Sequence, residues 1–196
     1  MNGTPARTVI RHLRSLTERQ SDTSDEHLLL GYLGRRDEEA FAALVRRHGA
    51  MVFSVCRRVL DDEHDAEDAF QATFLVLARR AAAVRSPGSL AAWLHGVACR
   101  ISLKARAEAA RRSAVPLCDS AVPAPADPSW RDVRTVLDQE LDRLPENLRE
   151  PLVLCYLEGL TRDEAAARLS CPLGTLKGRL ERGRELLRQR LVRRGV

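Results

Sequence analysis

Aromatic residues are scarce in this chain of 196 residues: two Trp, two Tyr and four Phe make up 4% of it, against an abundance of alanine, leucine and arginine. Such a composition favours helices, and no sheet is expected. Long apolar runs are missing too, none approaching the roughly 20 residues of a membrane span. The N-terminus lacks the apolar core of a secretory signal, which predicts a cytoplasmic protein. Cys56, Cys99, Cys118, Cys155 and Cys171 are odd in number and form no C-x-x-C pair. Neither a disulfide framework nor a zinc ribbon is therefore predicted. His95 and Cys99, four apart, could share a helical face, but two ligands do not make a metal site, and no metal or other cofactor is expected. There is no phosphate loop, nucleophile elbow or convincing carboxylate pair, so an enzyme is disfavoured. Only the run from Asp61 to Asp68, with six carboxylates, offers material for acid chemistry or magnesium.

Positive charge is what the chain has. The net charge is +5 and the pI about 9.3, which favours polyanions without separating nucleic acid from an anionic membrane surface. From Cys171 to the C-terminus there are eight Lys or Arg against two Glu, a local +6. That segment follows the punctuation of a helix-turn-helix. Thr161 and Glu164 have the spacing of a capping box, predicting a helix from near Arg162. Ser170, Cys171 and Pro172 interrupt it, and a second helix follows. Leu173, Leu176, Leu180 and Leu187, with Gly183, fall on one side of that second helix. Gly178, Glu181 and Arg182 are opposite, flanked by Thr175 and Lys177, with Arg179 and Arg184 nearer the sides. Glycine at 174, 178 and 183 costs about 1 kcal/mol each in a helix, which close approach to a helix or a phosphate would offset. A solvated face of a bundle is the plain reading; a recognition helix in the major groove is the functional one.

Elsewhere the pattern predicts more helices. Residues 1–23 form an extension with at most a turn or two of amphipathic helix. Ser24 and Asp25 read as cap residues before a stripe of Leu28, Leu29, Tyr32 and Leu33, and Asp37 caps the next helix. Gly49 reads as a break in the apolar pattern that runs on to Leu60. Beyond the acidic run, Phe70, Phe74, Leu77 and Ala81 form a core stripe, and Asp68, Gln71 and Leu75 an adjacent one that is either plain surface or a binding face for a basic partner. Residues 85–90 form a loop. The helix after it turns Leu90, Trp93, Leu94, Val97 and Ile101 inward and carries Arg100, Lys104 and Arg106, a basic surface able to hold a single strand. Trp93 reads as core, with base stacking the alternative. Residues 113–129 hold four prolines and read as a semi-extended linker. An amphipathic helix follows on Trp130, Val133, Val136, Leu137, Leu141 and Leu144, then another from near Asn147 to Leu157, its start fixed by Pro151. The expected fold is all-α: two small helical domains on a string, the second containing the helix-turn-helix.

Three ordered motifs resemble the bacterial RNA polymerase sigma factors of the sigma-70 family, extracytoplasmic-function type, over about residues 24–112 and 130–192. DAEDAFQATFLVLARR resembles the polymerase-gripping segment of sigma domain two, and SLAAWLHGVACRISLKARA the minus-ten-reading and melting segment. LPENLREPLVLCYLEGLTRDEAAARLSCPLGTLKGRLERGRELL resembles sigma domain four, which reads the minus-thirty-five box. The resemblance implies a non-enzymatic specificity subunit that binds core RNA polymerase, through the clamp helices of its largest subunit and the flap of its second-largest. It implies promoter DNA, duplex and melted, as the other partner, with no membrane, and an anti-sigma protein as a regulator such chains can have. It assigns polymerase contact to Asp65, Asp68, Gln71 and Leu75. It assigns minus-ten strand contact to Arg85, Ser86, Ser89, Arg100 and Lys104. Minus-thirty-five contact falls to Lys177, Gly178, Glu181 and Arg182, the face selected by helical spacing, with Thr175, Arg179 and Arg184 beside them. The sequence departs from the family at Ala72, where an acid is usual, at Arg100 for asparagine and at Gly178 for serine. A dimeric helix-turn-helix regulator acting without polymerase is the alternative.

Overall fold

The computed structural model describes residues 23–84, 90–113 and 130–196. The extension before Thr23, the loop 85–89 with Arg85, Ser86 and Ser89, and the linker 114–129 lie outside the described residues. Within them there are eight helices and no strand: α1 (Asp25–Arg35), α2 (Glu38–Val59), α3 (Glu63–Arg80), α4 (Leu90–Ser113), α5 (Trp130–Asp142), α6 (Glu146–Leu152), α7 (Arg162–Arg168) and α8 (Leu173–Arg193). A 3₁₀ turn, Ala81–Ala83, ends α3, and a π turn, Val153–Leu157, extends α6.

Short polar side chains start the first three helices. Ser24 Oγ accepts from the His27 amide at 3.2 Å, Asp37 from Glu39 and Ala40, and Asp62 from His64 and Asp65 at 2.8 and 3.0 Å. Each satisfies amides that the first helical turn leaves unpaired. Asp62 thus belongs to a cap, and Asp65 and Asp68 lie inside α3. Asp25 is no cap: it is buried, with consequences described below.

The expected break at Gly49 does not occur, and α2 runs through it as one helix. A Cβ there would lie 3.7 Å from the Phe70 ring. That is ordinary van der Waals contact, so the approach of α3 does not depend on the glycine; Phe70 is edge-on to Phe53 and Phe74 at centroid distances of 5.9 and 5.1 Å. Leu44, Leu77, Leu90 and Leu94 are wholly buried between α2, α3 and α4. Leu33, expected inward, is 43% exposed.

Pro151 also departs from expectation. With α6 starting at Glu146, the proline is buried inside the helix instead of near its first turn. A proline there removes one rung of the hydrogen-bond ladder and crowds the carbonyl four residues back. The turn that follows is widened, with the Glu158 amide bonded to the Val153 carbonyl at 3.0 Å.

The two helical units are packed together, not held apart on a string. One continuous buried cluster runs from Leu28 in α1 to Leu180 in α8, and α5 lies against α2 and α4 on one side and α8 on the other. This sandwiching reverses the expected burial of α5. Thr135, Asp138 and Glu140 are buried, Leu137 is 37% exposed, and Leu141 and Leu144 of the apolar stripe are enclosed.

Candidate nucleic-acid interface

The helix-turn-helix is built as its spacing requires. Thr161 Oγ1 accepts from the Glu164 amide while the Glu164 carboxylate accepts from the Thr161 amide at 2.7 Å. Ser170 ends α7 in the left-handed region, φ 48°. The Ser170 amide reaches the Ala167 carbonyl at 3.1 Å and the Cys171 amide the Ala166 carbonyl at 3.0 Å, the paired bonds that close a helix end. Pro172 then opens α8.

Leu176, Leu180 and Gly183 are the buried side of α8, and Leu173 and Leu187 are half-buried. A Cβ at Gly183 would come within 3.0 Å of Leu152 Cδ1 and 3.2 Å of the Leu148 carbonyl oxygen, so this glycine permits the crossing of α6. Gly174 faces open space, and a Cβ at Gly178 would meet nothing nearer than the tip of Arg182 at 4.0 Å. No protein packing asks for either. Thr175, Lys177, Glu181, Arg182 and Arg184 are exposed. Arg182 Nε donates back to the Gly178 carbonyl at 3.2 Å. Arg179 is half-buried near Glu150. Burial, with Glu146 adding, pushes the Glu150 carboxyl up; Arg149 and Arg179 oppose that.

In the first unit, Asp68, Gln71 and Leu75 form an exposed stripe on α3, Leu75 58% exposed, and Asp65 is half-buried. Trp93 packs on the core. Lys104 is exposed, 3.8 Å from Glu108. Arg100 is also at the surface, but its guanidinium is engaged: Nη1 donates to both oxygens of Asp142, at 2.9 and 2.8 Å. The predicted strand-contacting arginine is thus paired with a carboxylate of the second unit.

Sequence reasoning missed the polar groups between the units. Asp138 Oδ2 accepts from Arg58 Nε at 2.7 Å, and its Oδ1 from Arg58 Nη2 and His95 Nε2, each at 3.0 Å. Burial opposes charge on Asp138, but His95 and Arg58 outweigh it and hold the carboxyl below its usual range. His95 is therefore tied to a carboxylate. Neighbouring Cys99 is buried, and burial, with Asp138 and Asp142 adding, pushes its thiol up to about 12. A second cluster centres on His48, wholly buried, with Asp25 Oδ2 at 3.0 Å and Glu158 Oε1 at 3.1 Å. Arg47 and Arg168 also pair with Asp25. Burial opposes the charge on His48, yet Glu158 and Asp25 prevail and raise it to about 9. Burial likewise opposes charge on Asp25, but His48, then Arg168 and Arg47, hold it well below 3.8. No sequence signal marks His48 or Glu158. On α5, Thr135, Asp138 and Asp142 share one helical face, which opposite an apolar stripe reads as solvent-facing.

Residues 44–112 match the family model for sigma-70 region 2, and residues 134–187 that for sigma-70 region 4. Among curated proteins, the ECF RNA polymerase sigma factor SigK of Mycolicibacterium vanbaalenii is 34% identical over 177 residues, 85% of this chain and 89% of that protein. This chain belongs to the ECF sigma factors. SigE of Mycolicibacterium smegmatis is 36% identical over 158 residues, 76% of this chain, which spans 61% of that longer sigma factor. SigW of Bacillus subtilis is 26% identical over 170 residues, 79% of this chain and 90% of its own length. Among solved structures, CnrH in complex with the cytosolic domain of CnrY is similar with a TM-score of 0.42 and 24% identity, over 85% of this chain and 96% of that one. In the sigma factor's own terms, the first unit carries region 2 and the second region 4. No helix among the described residues is long and apolar enough to cross a membrane.

Proposed function

We propose that this sigma factor binds core RNA polymerase through α3 and directs it to promoters, α4 and the loop before it holding the melted minus-ten strand and α8 reading the minus-thirty-five box. The observation that carries this reading is the outer face of α8. Thr175, Lys177, Glu181, Arg182 and Arg184 are exposed together on a helix entered through a capped turn, and Gly174 and Gly178 have room beside them that no protein atom fills. A backbone free of side chains there can approach phosphate closely, while Lys177, Glu181 and Arg182 can reach base edges. Arg179 and Arg184 are the phosphate contacts in this reading. Asp65, Asp68, Gln71 and Leu75 supply the polymerase-facing stripe, and Lys104, with Arg85, Ser86 and Ser89 of the loop, completes the strand site with Arg100. Region 2 is further proposed to span residues 24–112 and region 4 residues 130–196, joined by the linker 113–129. Action with polymerase places the protein in the cytoplasm; the bond-making chemistry belongs to the polymerase, and this chain supplies binding energy.

Co-elution with bacterial core RNA polymerase tests the reading. The wild-type chain should co-elute, and Asp68→Ala with Gln71→Ala should reduce the bound fraction. Absence of wild-type binding at low salt would sink it.

A further inference from the structure

Arg184 differs from the arginines that follow it on α8. Arg188 meets the Glu185 carboxylate at 2.8 Å and Arg190 that of Glu140 at 3.9 Å. Glu185, the acid next to Arg184 in the chain, is turned to Arg188 and Gln189. The partner of Arg184 is neutral: its Nη1 donates to the Tyr156 hydroxyl oxygen at 3.5 Å, and among the described residues no carboxylate pairs with it. Its charge is therefore left uncompensated. Tyr156 belongs to the π turn that extends α6 and is 57% exposed in a chain with few aromatic residues. Leu148, Leu152 and Tyr156, four residues apart, form one row along α8. The first two close on Gly183 and the third reaches Arg184, so the crossing that Gly183 permits also fixes where the phenol stands. A phenol oxygen that accepts from a guanidinium still has its own hydrogen to give. With the remaining N–H groups of Arg184 it forms a cationic set of donors, and charge-assisted hydrogen bonds of this kind suit a phosphate oxygen. Arg184 lies seven residues beyond Lys177, close to two helical turns, so the set is on the same side of α8 as that exposed lysine.

We propose that Tyr156 is a further DNA-binding residue: its hydroxyl and the Arg184 guanidinium together hold one backbone phosphate of the duplex on which α8 lies. Arg184 supplies the charge, and Tyr156 supplies a hydrogen bond and steadies the guanidinium. This rests on the proposed reading of α8 as the duplex-facing helix. A phosphate contact fixes orientation without reading sequence. Tyr156, from outside the helix-turn-helix, thus sets how Lys177, Glu181 and Arg182 are aimed at the bases.

The test uses holoenzyme, the full-length chain with bacterial core polymerase, and a labelled duplex that the wild-type holoenzyme selects from random sequence. Binding is titrated by fluorescence anisotropy at several salt concentrations for the wild type, Tyr156→Phe, Arg184→Ala and the double variant. Tyr156→Phe keeps the ring and removes only the hydroxyl of an exposed side chain. It should weaken binding about three- to tenfold, and by the same factor at every salt concentration, since no charge is lost and counterion release is unchanged. Arg184→Ala should lower the salt slope by about one. Adding Tyr156→Phe to Arg184→Ala should cost less than about twofold, because the two side chains share one phosphate. The proposal is overturned if Tyr156→Phe binds like the wild type while Arg184→Ala lowers the slope. It is equally overturned if Tyr156→Phe costs as much without Arg184 as with it, or if its loss comes with a lowered melting temperature of the chain, which marks a structural role. The reading of α8 fails separately, when the wild-type holoenzyme selects no duplex or Arg184→Ala changes neither affinity nor salt slope.

Discussion

Nδ1 of His48, on α2, lies 3.1 Å from Oε1 of Glu158, just past the π turn of the second unit, and both ring nitrogens of that buried histidine face carboxylates. Its imidazolium is raised from 6.5 to about 9. A raised value means that the native state binds the proton more tightly than the unfolded chain does. The stability this contributes is complete below about 6.5 and is lost as pH rises through 9. Urea denaturation at pH 6.5, 8 and 9.5 should show that decline, on the order of a few kcal/mol across the window. Glu158→Gln should flatten it.

Asp25 has the opposite sign. Held below 3.8, it contributes stability that is present above 3.8 and lost as pH falls below it. Asp25→Asn leaves His48, Arg47 and Arg168 short of a buried partner. Its cost should be about 3–5 kcal/mol, measured at pH 7 by chemical denaturation.

Ser170 and Gly178 should respond in one direction and Gly183 in the other. Ser170→Gly removes the strain of a left-handed side-chain-bearing residue and should stabilise by about 1 kcal/mol. Gly178→Ala, with open space beside it, should stabilise by up to about 1 kcal/mol. Gly183→Ala pushes on a backbone carbonyl and Leu152 and should destabilise by about 1–3 kcal/mol. Thermal melts of the three variants check this.

For DNA, Lys177→Ala and Arg182→Ala should each weaken binding of holoenzyme to a minus-thirty-five-dependent promoter by about 1–3 kcal/mol. Arg184→Ala should act as a phosphate contact does, lowering the salt dependence of binding with little change in sequence preference. Unchanged transcription from that promoter in the double variant Lys177→Ala/Arg182→Ala would refute the assignment of this face.

What the sequence disclosed was mostly local. Caps at Ser24, Asp37 and Thr161, and the buried side of α8 at Leu176 and Leu180, follow from short-range rules of hydrogen bonding and helical period. The expectation at Gly49 fails because a glycine that ends a helix and one inside a helix look alike in the residue pattern, and packing against α3 and α4 carries α2 through it. Pro151 was placed too near a helix start because the widened turn that accommodates it leaves no mark in the residue pattern. The face of α5 was misread for a longer-range reason. Thr135, Asp138 and Asp142 are polar at helical spacing, and nothing within α5 indicates that Arg58, His95 and Arg100, dozens of residues earlier, will come to meet them.

The other face of α5 carries buried Glu140, whose carboxylate takes Arg143 at 2.8 Å and Arg194 at 2.9 Å, with Arg190 at 3.9 Å, while Arg194 also donates to Gln139 at 2.8 Å. Arg143 directly follows α5, while Arg190 and Arg194 belong to the far end of α8 and the residue after it. The helix that touches the first unit and α8, the helix proposed to read duplex, are thereby riveted together, a lever with a carboxylate at one end and the outer face of α8 at the other. Whatever moves one moves both. Any ligand that shifts α5 on the first unit therefore repositions the outer face of α8 in the same stroke. Linkage then requires that a ligand of that outer face alter the affinity for the first ligand by the same factor as the first alters the affinity for the second.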